Sequence, residues 1–277
     1  LGCNNFGMKI DAGGARSVVD AALEEGITHF DTAEMYGGGR SEEYLGAALA
    51  GHRDRVVVAT KFLPRPKDQP YTPGVLADRI REGCETSLRR LGTDHIDLYY
   101  QHYPDPEAPA EEALEALAEL VTDGKVLHIA SSNVTAREIQ AADAAARARA
   151  LPRFCGTQIE WNLLTRDVEA TVVPAARAAG MGVVPYFPLA SGLLTGKYRR
   201  GQRYPEGSRF AQLPFFTDVA TDDNFDRVDT LSAFAAERGH TLLELAIAWL
   251  TSQAAVVSVI AGATSAEQVR ANARSAS

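Results

Sequence analysis

Thr28-His-Phe-Asp-Thr-Ala-Glu-Met-Tyr-Gly-Gly-Gly-Arg-Ser-Glu-Glu43 runs from an apolar strand ending into Asp31, then Tyr36, three glycines and an acidic helix start. Ser41 stands where a side-chain cap for a helix opening at Glu42 is expected. A strand, polar residues, a glycine turn and a capped helix is how parallel α/β proteins build a reactive loop at a strand's carboxyl end. Two more ionisable groups repeat that placement: Lys61 follows Val56-Val-Val-Ala-Thr60, and His102 follows Ile96-Asp-Leu-Tyr-Tyr-Gln101. Asp31, Tyr36, Lys61 and His102 can converge only if their strands share one parallel sheet or barrel.

Outward from that stretch, short apolar runs alternate with amphipathic segments. Strands are expected at 28–31, 56–60, 96–100, 126–130, 156–159, 182–186 and 256–260, and helices at 16–25, 41–50, 74–91, 110–122, 136–150, 168–179, 223–238 and 242–252. Strands this short and this continuously apolar read as parallel and covered on both faces. With a first strand truncated at Leu1 they make eight. The expected fold is therefore an α/β (β/α)8 TIM barrel forming one domain over 1–277, a length that suits the roughly 250 residues such barrels need. The alternative, an open doubly wound sheet, needs fewer strands and a glycine fingerprint near the start. The abrupt beginning at Leu1 and the stop after a helix-like 266–273 read as though natural residues were missing at both ends. One long irregular segment, 189–221, is rich in Gly, Arg, Tyr and Pro, and loops of that length in compact domains are usually functional.

A formal net charge of −8 argues against general binding to nucleic acid or an anionic membrane. No apolar run reaches the ~18 residues of a membrane span. Cys3, Cys84 and Cys155 are odd in number with no paired spacing, which predicts neither disulfides nor a metal site and suits a reducing cytoplasm. An acidic barrel surface is compatible with a monomer or a dimer.

Taken singly, each strand-end group has an ordinary reading: a turn-forming Asp, a packing Tyr, a snorkelling Lys, a satisfied structural His. Together they make a proton donor. A phenol with an unperturbed pKa of about 10 donates poorly at neutral pH, and a neighbouring ammonium lowers that value. Lys61 is placed to do this to Tyr36, Asp31 to keep the buried Lys61 charged, and His102 to orient a carbonyl oxygen by a hydrogen bond.

These segments resemble the aldo-keto reductases nearly end to end, most of all bacterial-type members related to the ion-channel β-subunit branch. The resemblance rests on Phe30-Asp-Thr-Ala-Glu-Met-Tyr-Gly37, Ala59-Thr-Lys-Phe62 and Gln101-His-Tyr-Pro104. It implies Tyr36 as proton donor, Lys61 and Asp31 as its tuning pair, and His102 as the carbonyl-orienting residue. It also implies a nicotinamide cofactor, with Ser132, Asn133 and Gln158 on the carboxamide and Tyr186 stacked on the ring. The segment from Tyr186 through Phe187, Pro188, Leu189, Ser191, Gly192, Leu193, Thr195 and Gly196 to Lys197 resembles the family's pyrophosphate loop, with backbone donors freed by the glycines. Gly262, Ala263, Thr264, Ser265, Gln268 and Asn272 match the strand, turn and helix that grip the adenosine 2′-phosphate, with Arg270 a further candidate. Gly262 and Gln268 stand where better-known members carry basic residues, so NADPH is favoured while NAD stays open. Substrate walls are expected from Asn4, Met35, Leu63, Tyr103 and Trp161.

The implied activity is NADPH-dependent reduction of an aldehyde or ketone. A nicotinamide-binding regulatory subunit of low turnover is one alternative. A Schiff-base aldolase using Lys61 is another, because a lysine at a barrel strand end can serve as a nucleophile.

Overall fold

A computed structural model describes residues 1–66 and 68–276. Six parallel strands pair in chain order: β1 (His29–Asp31), β2 (Val57–Phe62), β3 (Ile96–Gln101), β4 (Val126–Ser132), β5 (Gly156–Glu160) and β6 (Gly182–Tyr186). Helices alternate with them: α1 (Ala12–Glu24), α2 (Arg40–Ala48), α3 (Val75–Leu91), α4 (Ala110–Thr122), α5 (Ala136–Arg149) and α6 (Val172–Ala178). After β6 come α7 (Arg209–Gln212), α8 (Asp222–Ala236), α9 (Leu242–Thr251) and α10 (Ala266–Arg274). The main apolar core lies between the early strands and α1 to α4, where Val18, Phe30, Leu45, Val58, Ile80, Leu117 and Ile129 are buried.

Beyond both edges the sheet continues through isolated bridges. Gly2 pairs with Asp31 on one side and with Gly262 on the other, and Val183 pairs with Val256. The strand expected at 256–260 is thus reduced to a single bridge, and the cause is Pro185. Val183 donates to Ala255 O and accepts from Val257 N, as a parallel ladder requires. The next donor along β6 is Pro185, which has no N–H. The carbonyl of Pro185 then accepts from Ile260 rather than from the residue in register, a one-residue slip that ends the ladder.

Three helix expectations also change. Helix α1 begins at Ala12, earlier than expected, because Asp11 Oδ1 accepts from Gly14 N at 2.9 Å. The segment 168–179 is broken into a 3-10 turn (Asp167–Ala170) and α6, since Pro174 cannot donate to, and clashes with, the carbonyl four residues earlier. Ser41 does not cap α2. The helix starts at Arg40 behind Gly39, and Ser41 Oγ donates to Cys3 O (2.8 Å) beside Thr32 Oγ1 (2.8 Å).

Register puts the candidate residues on one face. Asp31 pairs with Ala59, and Lys61, two residues further along β2, points to the same side. Lys61 in turn pairs with Tyr100 and Tyr100 with Ala130, so the three form one row across the concave surface. Among the described residues no helix is long and apolar enough to cross a membrane.

Candidate active site

Lys61 is 1 % exposed, and its ammonium is clamped by two oxygens: Asp31 Oδ1 at 2.5 Å and Thr32 O at 2.7 Å. The other carboxylate oxygen of Asp31 accepts from Gln158 Nε2, a side chain on β5. Burial pushes the Lys61 ammonium down, but Asp31 and Tyr36 outweigh it, so its pKa lies above the ordinary value and the group stays charged. A buried lysine can keep its charge only with such a partner.

The Tyr36 ring lies 5.2 Å from Lys61 Nζ, and its other neighbour is His102, edge-on at 5.8 Å and 82°. Burial raises the phenol pKa, and Lys61 opposes that shift without reversing it. The expected net lowering is therefore absent: burial is the largest influence and outweighs Lys61, and the field of Asp31 adds to it. His102 is buried, and its pKa is held at about 3 by desolvation and then by Lys61. A neutral imidazole follows, with one N–H available as a donor. Its Nδ1 has no hydrogen-bond partner among the described residues. The Tyr103 ring stacks on it at 4.8 Å.

Backbone geometry supports this loop. Gly37 has φ 59°, and a Cβ there would lie 2.7 Å from Phe6 O, so the turn that presents Tyr36 requires glycine. Buried charges hold it from below. Arg90 Nη1 donates to Glu34 O and to Glu42 Oε2, both at 3.2 Å, while Thr60 Oγ1 donates to Glu42 Oε1 at 2.6 Å. Glu34 Oε1 accepts from Leu63 N at 2.6 Å and pairs with Arg79. The acidic residues of the 28–43 stretch announced such partners, but Arg79 and Arg90 lie on α3, too far along the chain to identify from it.

The residues matched to the carboxamide are engaged with one another. Asn133, at φ 57°, donates from Nδ2 to His102 O (2.9 Å) and Ser132 Oγ (3.1 Å), and its Oδ1 accepts from Tyr186 Oη at 2.7 Å. Ser132 Oγ donates to Gln158 O at 3.3 Å. Asp31, Tyr36, Lys61, His102, Tyr103, Ser132, Asn133, Gln158 and Tyr186 thus form one continuous set of contacts.

Along the candidate pyrophosphate loop, Phe187, Ala190 and Ser191 all take positive φ (48°, 45° and 57°), uncommon for residues with a Cβ. The amides of Gly192 and Gly196 are not free donors: they bond Leu189 O and Leu193 O. Those glycines supply left-handed turns (φ 100° and 72°) instead. Leu193 is buried in a core cluster with Ala190, packed against Leu189, and Thr195 Oγ1 closes on Gly192 O at 2.8 Å. Lys197 is exposed above the Tyr198 ring, and Pro188 is buried. Burial and then the fields of Arg209 and Lys197 lower the Lys9 pKa, so three cations gather beside this loop. Arg209 lies over the rings of Phe187 (5.7 Å) and Phe216 (4.8 Å). Lys9 and Arg209 went unforeseen; the arginine-rich composition of 189–221 was the signal for the second.

At the last turn, Ser265 caps α10 and Gln268 Oε1 accepts from Thr264 N at 2.8 Å. Gly262 is exposed beside Asn4, while Ala263 is buried and accepts from Asn5. Asn272 is half-buried on α10. Arg270 is turned away and paired with Glu24 at 2.8 Å, so it does not serve the loop. Of the expected substrate walls, Met35 and Tyr103 are exposed at 47 % and 44 %, and Leu63 is half-buried. Trp161 is not a wall. It is buried against Trp249 with Nε1 donating to Glu169, because the chain turns outward after β5.

Comparison with known proteins agrees with this geometry. The family model described as "Aldo/keto reductase family" matches residues 1–277. A "Probable voltage-gated potassium channel subunit beta" of Arabidopsis thaliana is 37 % identical over 278 residues, covering 96 % of this chain and 83 % of that protein. A protein of the same description from Oryza sativa subsp. japonica is 37 % identical over 275 residues, with 96 % and 83 % covered. "Probable aldo-keto reductase 1" of Glycine max is 36 % identical over 258 residues, with 92 % and 72 % covered. With its lysine, aspartate, tyrosine and histidine drawn together at the strand ends, the chain belongs to the aldo/keto reductase family, whose fold is a (β/α)8 barrel.

Proposed function

We propose that this chain reduces an aldehyde or ketone with NADPH, Tyr36 giving the proton. The observation that carries the proposal is the buried Lys61 ammonium, fixed by Asp31 and Thr32, with the Tyr36 ring 5.2 Å away and a neutral His102 on that ring's other side. The six-stranded sheet and its bridged edges at Gly2 and Val256 are read as one closed barrel domain over 1–277. The residues suit a dinucleotide: Lys9, Lys197 and Arg209 offer positive charge beside a left-handed loop, and Tyr186 offers an aromatic face. Bound NADPH would supply hydride to the carbonyl carbon.

The chain's own residues would do the rest. His102 donates a hydrogen bond that orients the carbonyl oxygen. Tyr36 Oη transfers its proton to that oxygen as negative charge develops there. Lys61 stabilises the phenolate left behind, and Asp31 holds Lys61 in place and charged. The same clamp disfavours the aldolase reading, since a Schiff-base lysine must attack as a neutral amine.

The test is titration with NADPH and NADH, then a panel of carbonyl compounds. Tyr36→Phe should retain NADPH binding and lose turnover by about 10²–10⁴-fold, the usual contribution of a positioned proton donor. Unchanged turnover removes Tyr36 from the mechanism. A second reading follows from the relatives named as channel β subunits: a nicotinamide-binding regulatory subunit. It predicts tight NADPH binding with slow multiple turnover on every carbonyl tried. The three free cysteines, two of them buried, fit a reducing compartment.

A further inference from the structure

Asn162 has no exposed surface and no part in the chemistry above, yet its side chain closes its own turn and also ties that turn to the next loop. Its Oδ1 accepts from Leu164 N (2.9 Å) and Thr165 N (3.0 Å), closing the turn that follows β5. Its Nδ2 crosses to the next strand end and donates to Phe187 O at 3.1 Å. The same carbonyl accepts from Ala190 N at 2.9 Å, the bond that closes the left-handed turn.

A non-glycine residue at positive φ is strained and persists only where its surroundings over-determine it. Three such residues, Phe187, Ala190 and Ser191, fall within five positions here. Phe187 O is where the support is concentrated, since it accepts one bond from within the turn and one from a different loop.

We propose that Asn162 is a positioning residue that holds the 187–192 turn in its left-handed form and so shapes the dinucleotide site; this rests on the nicotinamide reading given above. Asn162→Asp is the informative substitution. It keeps the acceptor for Leu164 and Thr165 while replacing the donor to Phe187 O with a second oxygen. Two measurements follow. Hydrogen exchange at the amides of Ala190 and Gly192 should accelerate at least about ten-fold, as expected when a brace of this kind is lost. The Kd for NADPH should rise about ten-fold, and by more than kcat falls.

A merely structural role would lower the folded fraction and Tm and leave the Kd of the folded fraction unchanged. The double variant Asn162→Asp/Phe187→Gly guards against that ambiguity. Glycine accepts φ 48° without strain, so Asn162→Asp should weaken binding less in the Phe187→Gly background than alone. Unchanged exchange at Ala190 and Gly192, or strict additivity of the two substitutions, overturns the proposal. If the unmodified chain binds no NADPH, the nicotinamide reading fails, and the exchange measurement still judges the brace.

Discussion

Replacing Asp31 with asparagine keeps the shape of the site and removes one charge. Lys61, 1 % exposed, would then face only Thr32 O at 2.7 Å and a neutral amide. Gln158 Nε2, which now donates to Asp31, would meet an amide that can satisfy it only by turning its N–H₂ toward the lysine. Removing one partner of a buried pair typically costs about 3–5 kcal/mol. At about 2.1 cal/mol/K per residue, the 277 residues give an unfolding entropy near 0.6 kcal/mol/K, so Tm should fall by roughly 5–9 °C. The pH dependence gives the argument its sign. In the native protein the Lys61 pKa is raised, so the stability it contributes is complete below the unfolded value of about 10.4 and is lost only as pH climbs through the native one. In Asp31→Asn the downward push of burial prevails and the native pKa falls below the unfolded value. Between the two values the unfolded chain holds the extra proton, so the variant's stability rises with pH. Thermal unfolding of both proteins at about pH 7 and about pH 9.5 should therefore show the Tm gap narrowing. A gap that stays constant, or no destabilisation at about pH 7, would refute the account of Lys61 as a charge held by Asp31.

The remaining expectations are shorter. With its pKa held at about 3 and an unfolded value near 6.5, His102 should contribute stability that falls as pH drops from about 6.5 toward 3, and its NMR ring shifts should not titrate between about pH 5 and 8. Arg90→Met strands the buried Glu42 carboxylate and frees Glu34 O, so it should cost about 3 kcal/mol in chemical denaturation and lower turnover more than NADPH affinity. Turnover equal to the parent's would show that Arg90 does not set the Tyr36 loop. Glu112 on α4 caps α3 from outside, accepting from Leu76 N (2.9 Å) and Ala77 N (3.1 Å) where Gly74 supplies no side-chain cap. Glu112→Gln should cost about 1 kcal/mol. Burial raises the Glu112 pKa, but the bonds from Tyr71 and the α3 amides bring it below the ordinary value. Its contribution is thus present above the unfolded pKa of about 4.3 and lost as pH falls through the native one, which acid unfolding of parent and variant would reveal.

What the sequence disclosed and what it concealed divide along physical lines. Apolar runs ending in a polar residue located β1 to β6 within a residue or two, because a strand covered on both faces leaves a continuous apolar trace. The same rule failed at 256–260, where the composition is right but the neighbour's Pro185 withholds a donor; pairing belongs to two segments, and one segment's composition cannot report it. Asp31, Lys61 and His102 stood out because each sits at the carboxyl end of its strand, and Tyr36 because it lies five residues past Asp31 before a glycine turn. Trp161 follows its strand too, and packs outward. Asn162 and Arg90 were invisible for a related reason: each acts through a bond to a distant backbone or carboxylate, and residue type alone does not record that. Ser41 and the glycines of 192–196 show the converse, with local patterns read correctly as turns and wrongly as caps or free donors.

The slip at Pro185 also determines where the extended sheet would come apart. Neighbouring strands from β1 to β6 are stitched by ladders; between Gly2 and β1, and between Gly2 and β6, they are joined by single bridges, with one further bond from Ile260 N on the β6 side. A zipper opens at its missing tooth. Amides of Gly2, Val257 and Ile260 should exchange with solvent before those of β2 to β5, and the first partial opening should peel away 256–262 with α10 while leaving the Lys61 clamp intact.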